Sequence, residues 1–218
     1  MKIKIDINLK VSQIVKTLVL SDLILMAGWG FVSPIFSVFV INKIVGATLT
    51  TVGITTALYW LTRSLIQIPI ANFLDRTDGE KDDFYALIGA LILAGVAAFG
   101  YTAIRTVPQL YFFQIVQAIA FGIYAPSWSG IFSRHLDDKR RSFDYSLDST
   151  AISISSGVAG LVGGAIAQNF GFNMIFILGG TLSLFAAFVV VTFPKLILPP
   201  KTSDEPAEIR DHKPPMVG

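Results

Sequence analysis

Residues 30–37 read GFVSPIFS and residues 122–129 read GIYAPSWS, so the pattern G-x-x-x-P-x-x-S occurs twice, about 92 residues apart. A second pair of similar segments has nearly the same separation, because ANFLD at 71–75 corresponds to GAIAQ at 164–168. Each copy contains three apolar runs. A repeat with an odd number of spans enters a membrane from the opposite side the second time. We therefore predict an inverted repeat of three plus three transmembrane helices, an arrangement found in transporters.

The composition indicates a membrane protein independently of the repeat. Apolar residues make up 53% of the chain, charged residues 15%, and the mean hydropathy is +0.64, whereas soluble domains carry about 25% charged residues. Each apolar run is about as long as, or longer than, the roughly 20 residues that a helix needs to cross a bilayer. Helices are the open-chain structure that satisfies the backbone in lipid. The predicted spans of this all-α polytopic protein are 17–41, 49–74, 84–104, 108–133, 147–169 and 172–194.

The positive charges predict the topology. All of the 17 Lys and Arg residues except Lys43, Arg63 and Arg105 lie in segments on one side of the predicted spans. The positive-inside rule then places both termini in the cytoplasm, in an integral protein of the cell membrane. We predict a cytoplasmic segment at 1–16, a transmembrane domain at 17–194 and a disordered cytoplasmic tail at 195–218, which is Pro-rich and poor in large apolar residues.

Several classes of function are disfavoured. The net charge is only +2 and its basic residues are accounted for by topology, so nothing indicates nucleic-acid binding. The chain has no cysteine, which excludes disulfides and thiolate chemistry, and His135 and His212 have no neighbours suited to a metal. No Ser-His-Asp set, P-loop or carboxylate pair suggests catalysis. We expect no enzyme activity, no metal and no cofactor, with the lipid bilayer as a partner.

The segment ANFLDRTDGEK at 71–81 resembles the loop G-x-L-a-D-R-x-G-R-K of the major facilitator superfamily. The Leu-Asp-Arg core matches, whereas the first glycine is Ala71, one residue is inserted before Gly79, and the basic pair is reduced to Lys81. Further similarities are Gln117, Gly122, Pro126 and the glycine-rich stretch 157–164, but Gln114 stands where many members have arginine.

This resemblance implies one six-helix half of a transporter that normally has two, with the substrate held between them. A second wall would then come from a homodimer or a separately encoded six-helix partner. Alternatively, the chain is a fragment of a twelve-helix transporter.

Arg63 is the clearest candidate for substrate binding. It lies eleven residues from the end of the second span, about 16 Å at 1.5 Å per residue, close to mid-membrane. Thr56, Tyr59 and Gln67 share its helix face. Because a charge at this depth is costly, Arg63 either anchors an anionic group or forms a gate, or it is a structural arginine satisfied by helix contacts.

Asp22 is a second charged residue within a predicted span. Its depth differs from that of Arg63 by five residues, about 7 Å, so we expect that the two side chains can pair. If unpaired, Asp22 could carry a proton; alternatively, it is a solvated acid at the membrane interface.

Two polar and aromatic stripes mark the remaining site candidates. One stripe contains Gln117, Phe121, Tyr124 and Trp128, and the other contains Asp22, Met26, Trp29 and Ser33. In the family that this chain resembles, these two helices line the central cavity. The alternative is that each aromatic residue serves only in packing. The predicted substrate-binding residues are Asp22, Trp29, Arg63, Gln117, Tyr124 and Trp128.

The resemblance also implies a cytoplasmic gate, formed by Asp75 and Arg76 with Arg134 as the natural partner of Asp75. Asp144 and Asp148 open the fifth span, where acids favour a helix N-terminus, and we give them no further role. A ridge of small residues on this span is interpreted as a structural helix contact; it consists of Ser153, Gly157, Gly160 and Gly164.

Together these features predict a secondary-transport module that moves a small organic solute by alternating access as a dimer of halves. The alternative is a non-transporting six-helix scaffold or a partner subunit.

Overall fold

The computed structural model describes residues 12–76, 81–136 and 140–192. The predicted tail at 195–218 and most of the predicted N-terminal segment lie outside these residues. The described part of the chain contains seven α-helices: α1 Gln13–Val32, α2 Phe36–Lys43, α3 Leu49–Leu74, α4 Lys81–Gly100, α5 Val107–Arg134, α6 Arg141–Phe170 and α7 Phe172–Thr192. Their ends agree with the predicted spans to within a few residues, except that the first span is divided into α1 and α2.

The division of the first span occurs at the motif proline. Pro34 has no N–H to donate and its ring disfavours a continuous helix. The chain turns here, with Ile35 N donating to Val32 O at 3.1 Å, and it resumes when Phe39 N donates to Ile35 O at 2.9 Å. The second copy of the motif behaves differently, because α5 runs through Pro126 without ending. The same sequence pattern therefore breaks one helix and is tolerated in the other.

Five of the described helices, α1, α4, α5, α6 and α7, are long and apolar enough to cross a membrane. The predicted span at α3 is not among them, although it has 26 residues. Its threonines, Arg63 and Gln67 account for its lower hydropathy.

Five helix pairs form most of the packing. α1 packs on α6 and α7, α5 packs on α3 and α4, and α4 packs on α7. The motif glycine makes the close approach in both copies. A Cβ on Gly30 would lie 2.9 Å from Ser156 Cα, and one on Gly122 would lie 3.0 Å from Ile66 Cβ. A larger residue at either position would push the two helices apart.

Of the ridge predicted on α6, Gly160 meets the end of α1, where a Cβ would lie 3.6 Å from Pro34 Cγ and 3.7 Å from Gly30 O. The close crossing of α1 and α6 uses Gly163, where a Cβ would lie 2.8 Å from Phe31 O. Around Gly157 and Gly164 no described heavy atom outside the local helix lies within 4 Å of such a Cβ. These two glycines therefore make no close contact with the described residues, because the neighbouring face of α6 meets α1.

Candidate functional site

A cavity of about 330 Å³ lies between α1, α3 and α5. It contains three of the predicted substrate-binding residues, Trp29, Arg63 and Gln117. The other residues that line it are Met26, Val32, Ser33, Phe36, Tyr59, Trp60, Gln114 and Phe121. The predicted residues Asp22, Tyr124 and Trp128 do not line it. The motif loop at Ser33, which ends α1 early, forms part of its wall.

Arg63 is half-buried in this cavity among aromatic side chains. Its Nη1 donates to the hydroxyl of Tyr59 at 3.4 Å. Its Cζ lies 5.4 Å from the ring centre of Trp60 and 5.9 Å from that of Phe121. Within the residues that the structure describes, no carboxylate forms an ion pair with Arg63. Because a guanidinium has five N–H donors, this site retains the capacity to bind an anion.

Polar amides form another part of the cavity wall. The hydroxyl of Tyr101 lies 2.6 Å from Oε1 of Gln114 and 2.7 Å from Oε1 of Gln117. A hydroxyl has one hydrogen, so one of the two amides must present its NH₂ group to the tyrosine oxygen. Tyr101 is fully buried and therefore fixes both amides. Sequence analysis missed this role, because Tyr101 lies beyond the end of α4 and only the fold brings it to α5.

An aromatic layer separates the cavity from the bundle interior. The ring centre of Phe121 lies 5.5 Å from that of Trp29, 6.3 Å from that of Tyr59 and 6.0 Å from that of Tyr124, and each pair packs edge to face. Trp29 Nε1 is buried and has no hydrogen-bond partner among the described residues. Trp60, which sequence analysis also missed, could have been identified from its spacing of three residues from Arg63.

The predicted Asp22–Arg63 pair does not form. The carboxylate of Asp22 accepts a hydrogen bond from the hydroxyl of Tyr124 at 2.5 Å, whereas Arg63 contacts Tyr59. α5 brings Tyr124 directly onto Asp22, and the rings around Arg63 hold its guanidinium elsewhere. Sequence analysis did not predict the contact of Asp22 with Tyr124, because residues 102 positions apart on different helices give no local signal.

Asp148 joins this buried group, although sequence analysis gave it no role. Asp148 is 6% exposed. It lies eight residues before Ser156, as Asp22 lies eight residues before Gly30, and Gly30 and Ser156 are in close contact. Asp144, one turn earlier, is also buried. The spacing of these two acids on one helix face was the available signal, but their position near the start of α6 suggested a solvated helix terminus.

Trp128 lies in the packed core. Its indole stacks on Phe132 with ring centres 4.3 Å apart and an interplanar angle of 18°. It is 9% exposed, and its Nε1 has no described hydrogen-bond partner.

The predicted gate residues are arranged around a different ion pair. Arg134 pairs with Asp83 at the start of α4, and its Nε donates to Gly130 O at 3.2 Å. Asp75 does not pair with Arg134, but it lines a cavity of about 350 Å³ together with Asp83. Arg76 is exposed. Asp83 thus takes the place expected for Asp75, although both α3 and α4 pack on α5.

The chain is similar to known membrane proteins. The family model described as Major Facilitator Superfamily matches residues 18–217. An uncharacterized MFS-type transporter of Methanocaldococcus jannaschii is 27% identical over 172 residues, which cover 78% of this chain and 42% of that protein. The voltage-gated purine nucleotide uniporter of Mus musculus is 24% identical over 151 residues, which cover 65% of this chain and 32% of that protein. The chain thus spans less than half the length of these relatives.

These matches agree with the helical architecture and with the five apolar helices. The family model covers nearly the whole chain, and the residues that it matches include all of the cavity described above. The chain is therefore an integral membrane protein that belongs to the Major Facilitator Superfamily.

Proposed function

We propose that this chain forms one half of a secondary transporter and that its Arg63 cavity binds the anionic group of a small organic substrate. The observation that carries this proposal is the guanidinium of Arg63, which lines a cavity without a carboxylate partner among the described residues. A charged side chain near the centre of a membrane helix costs about 2.5–3.5 kcal/mol. Contact with aromatic rings offsets about 0.5–2 kcal/mol of such a cost, and an anionic substrate would offset more.

The other cavity residues suggest the chemistry of the substrate. Trp60 and Phe121 offer flat apolar surfaces, while the amides of Gln114 and Gln117 offer hydrogen bonds. This combination suits a planar organic anion with polar ring atoms. The relative named as a purine nucleotide uniporter makes nucleotides one class to test.

The helix pairing supports a three-plus-three inverted repeat. In the repeat, α1, α3 and α4 of the first copy correspond to α5, α6 and α7 of the second. The contact of α1 with α6 then corresponds to that of α5 with α3, and the contact of α1 with α7 to that of α5 with α4. α3 would then cross the membrane in addition to the five apolar helices, and its polar stripe would face the substrate pathway rather than lipid. With both termini in the cytoplasm, fluorescent reporters fused to either end should report from inside the cell.

A second wall would complete the pathway. The outer faces of α3 and α6 have few buried residues within this chain, and α6 presents the small-residue ridge there. Such ridges allow helices to approach closely. We propose that a second copy, or another six-helix half, packs on these faces. Alternating access would follow from rocking of the halves, with Asp75, Arg76 and Arg134 near the cytoplasmic closure.

Uptake of labelled organic anions into proteoliposomes tests this function. Losing a hydrogen bond to a charged group costs about 1.5–3 kcal/mol, so Arg63→Gln should weaken substrate binding roughly 10- to 150-fold. Arg63→Lys should retain part of it, since the charge remains while the planar fork is lost. Arg105→Gln is the matched control, because Arg105 lines a separate cavity.

Two outcomes would contradict the proposal. Unchanged uptake in Arg63→Gln would show that Arg63 is structural. If no anion is transported by protein that is folded and paired with a second half, the non-transporting scaffold becomes the better interpretation.

A further inference from the structure

Two carboxylates lie buried together inside the helical bundle, away from the Arg63 cavity. Asp22 on α1 is 4% exposed and Asp148 on α6 is 6% exposed. A Cβ on Gly30 would lie 2.9 Å from Ser156 Cα and one on Gly163 would lie 2.8 Å from Phe31 O, so α1 and α6 run parallel in close contact. Asp22 lies eight residues before Gly30 and Asp148 eight residues before Ser156, which places the two acids at the same level. Both belong to helices apolar enough to cross a membrane. Two negative charges in such surroundings repel each other and lack hydration, so the doubly ionised pair is strongly disfavoured.

Among the residues that the structure describes, the helices around this pair show no cation paired with it. α7 packs on α1 and contains no titratable side chain. From α5, the hydroxyl of Tyr124 donates to Asp22. Lys16, on the same helix as Asp22, is exposed. Asp144 and Tyr145 are the titratable neighbours on α6 itself, and Arg63 on α3 acts on Tyr124 only at a distance. In the described ranges no Lys, Arg or His pairs with Asp22 or Asp148.

A separate observation indicates what the pair binds. Oδ1 of Asp148 is fully buried and has no hydrogen-bond partner among the described residues. An unpaired buried acceptor costs about 1–3 kcal/mol. A proton on one carboxyl group removes one of the two charges and supplies a donor for the unpaired oxygen.

We propose that Asp22 and Asp148 form a shared site for a single proton. A metal cation fits less well, since such ions take about six or more oxygen ligands. This site offers two carboxylates and one tyrosine hydroxyl. Among the described residues no group of three His, Cys, Asp or Glu side chains is suitably placed to hold a metal.

The proton site is linked to the substrate cavity through two side chains. Tyr124 donates to Asp22 and packs on Phe121 with ring centres 6.0 Å apart. Phe121 lines the cavity and lies against Arg63. A substrate that displaces Phe121 would move Tyr124 and so change the proton affinity of Asp22. This coupling rests on the proposed transport function, whereas proton binding itself does not.

Infrared difference spectroscopy of the full chain in lipid vesicles tests proton binding without a substrate. Mild acidification, kept above the range in which exposed carboxylates titrate, should produce the carbonyl stretch of one protonated carboxylic acid per chain. Asp22→Asn and Asp148→Asn should each move this band to lower pH, so that it is lost at the pH where the wild type shows it, because one buried negative charge is less disfavoured than two neighbouring ones. Asp144→Asn is the matched control, being buried on the same helix, and should keep the band.

Tyr124→Phe provides a second measurement that leaves both acids in place. Loss of the hydrogen bond from Tyr124 to Asp22 should shift the carbonyl band to higher frequency. This variant can still test the proposal if an Asn variant fails to fold. A band that survives in both Asn variants, that disappears in Asp144→Asn, or that is absent from the wild type would overturn the proposal. Removal of the band by Na⁺ at constant pH would also overturn it, in favour of a sodium site. An intact band in protein that transports no anion would contradict the proposed function alone.

Discussion

At the scale of single residues, Tyr101 illustrates how one buried hydroxyl can organise a site. Tyr101→Phe leaves the buried amides of Gln114 and Gln117 without their shared partner. We expect it to lower stability by about 1–3 kcal/mol, measured as a lower Tm in detergent. Tyr85→Phe is the control, because Tyr85 is 65% exposed, and should leave Tm unchanged. Equal effects of both changes would contradict the role of Tyr101.

The ion pair of Arg134 and Asp83 gives a second prediction at this scale. Asp83→Asn removes the charge that holds Arg134, so the end of α5 should open more often. Leu74→Cys, which is 3% exposed and lines the adjoining cavity, should then react faster with a thiol reagent. The chain has no cysteine, so labelling has no background.

Asp75→Asn is the comparison for this measurement, because Asp75 lines the same cavity without pairing with Arg134. Faster labelling in Asp75→Asn but not in Asp83→Asn would instead support the gate as first expected from the sequence.

The expected and observed partners of Asp22 show why such contacts resist prediction. Helix spacing shows which residues share a face, and the stripes on α1 and α5 were identified in this way. It does not determine how far one helix is rotated or shifted against another. Asp22 meets Tyr124 because of how α1 and α5 lie against each other, whereas Arg63 lies on a third helix, α3.

At the scale of helices, the repeated glycine sets the distance between neighbours. Gly30→Ala places a methyl group 2.9 Å from Ser156 Cα, and Gly122→Ala places one 3.0 Å from Ile66 Cβ. Overpacking of this kind costs about 1–3 kcal/mol, so both variants should have a lower Tm.

Gly89→Ala is the matched control, because no described heavy atom outside its local helix lies within 4 Å of a Cβ at this position. It should be neutral or slightly stabilising, since alanine favours a helix by up to about 1 kcal/mol over glycine. If Gly30→Ala and Gly122→Ala are as stable as this control, the motif glycines have no packing role.

At the scale of the whole molecule, the outer face of α6 is the region where a second copy is expected. Gly157→Leu places a large side chain on the small-residue ridge and should prevent close approach. Counting photobleaching steps of singly labelled protein in bilayers should show a dominant two-step population for the wild type and mainly single steps for the variant.

Gly89→Leu, on the exposed face of α4, is the control for association and should keep the two-step population. A wild-type protein that is monomeric at high dilution would show that the second wall is not a second copy. The search would then turn to a separately encoded half.

The sequence by itself determined the class of this protein and the position of its helices. Apolar runs of membrane length, the two copies of the motif and the Leu-Asp-Arg loop are local patterns, and helix formation in lipid depends on local composition. The sequence also identified Arg63, because a charge within an apolar run is visible without any knowledge of packing.

Only the tertiary structure decided which side chains meet. It broke the first span at Pro34, separated Asp22 from Arg63, placed Trp128 in the core and brought Asp148 beside Asp22. The physical reason is that helix packing depends on the fit of side chains from segments more than 100 residues apart. Such fits are set by the rotation and separation of whole helices, which no local pattern records.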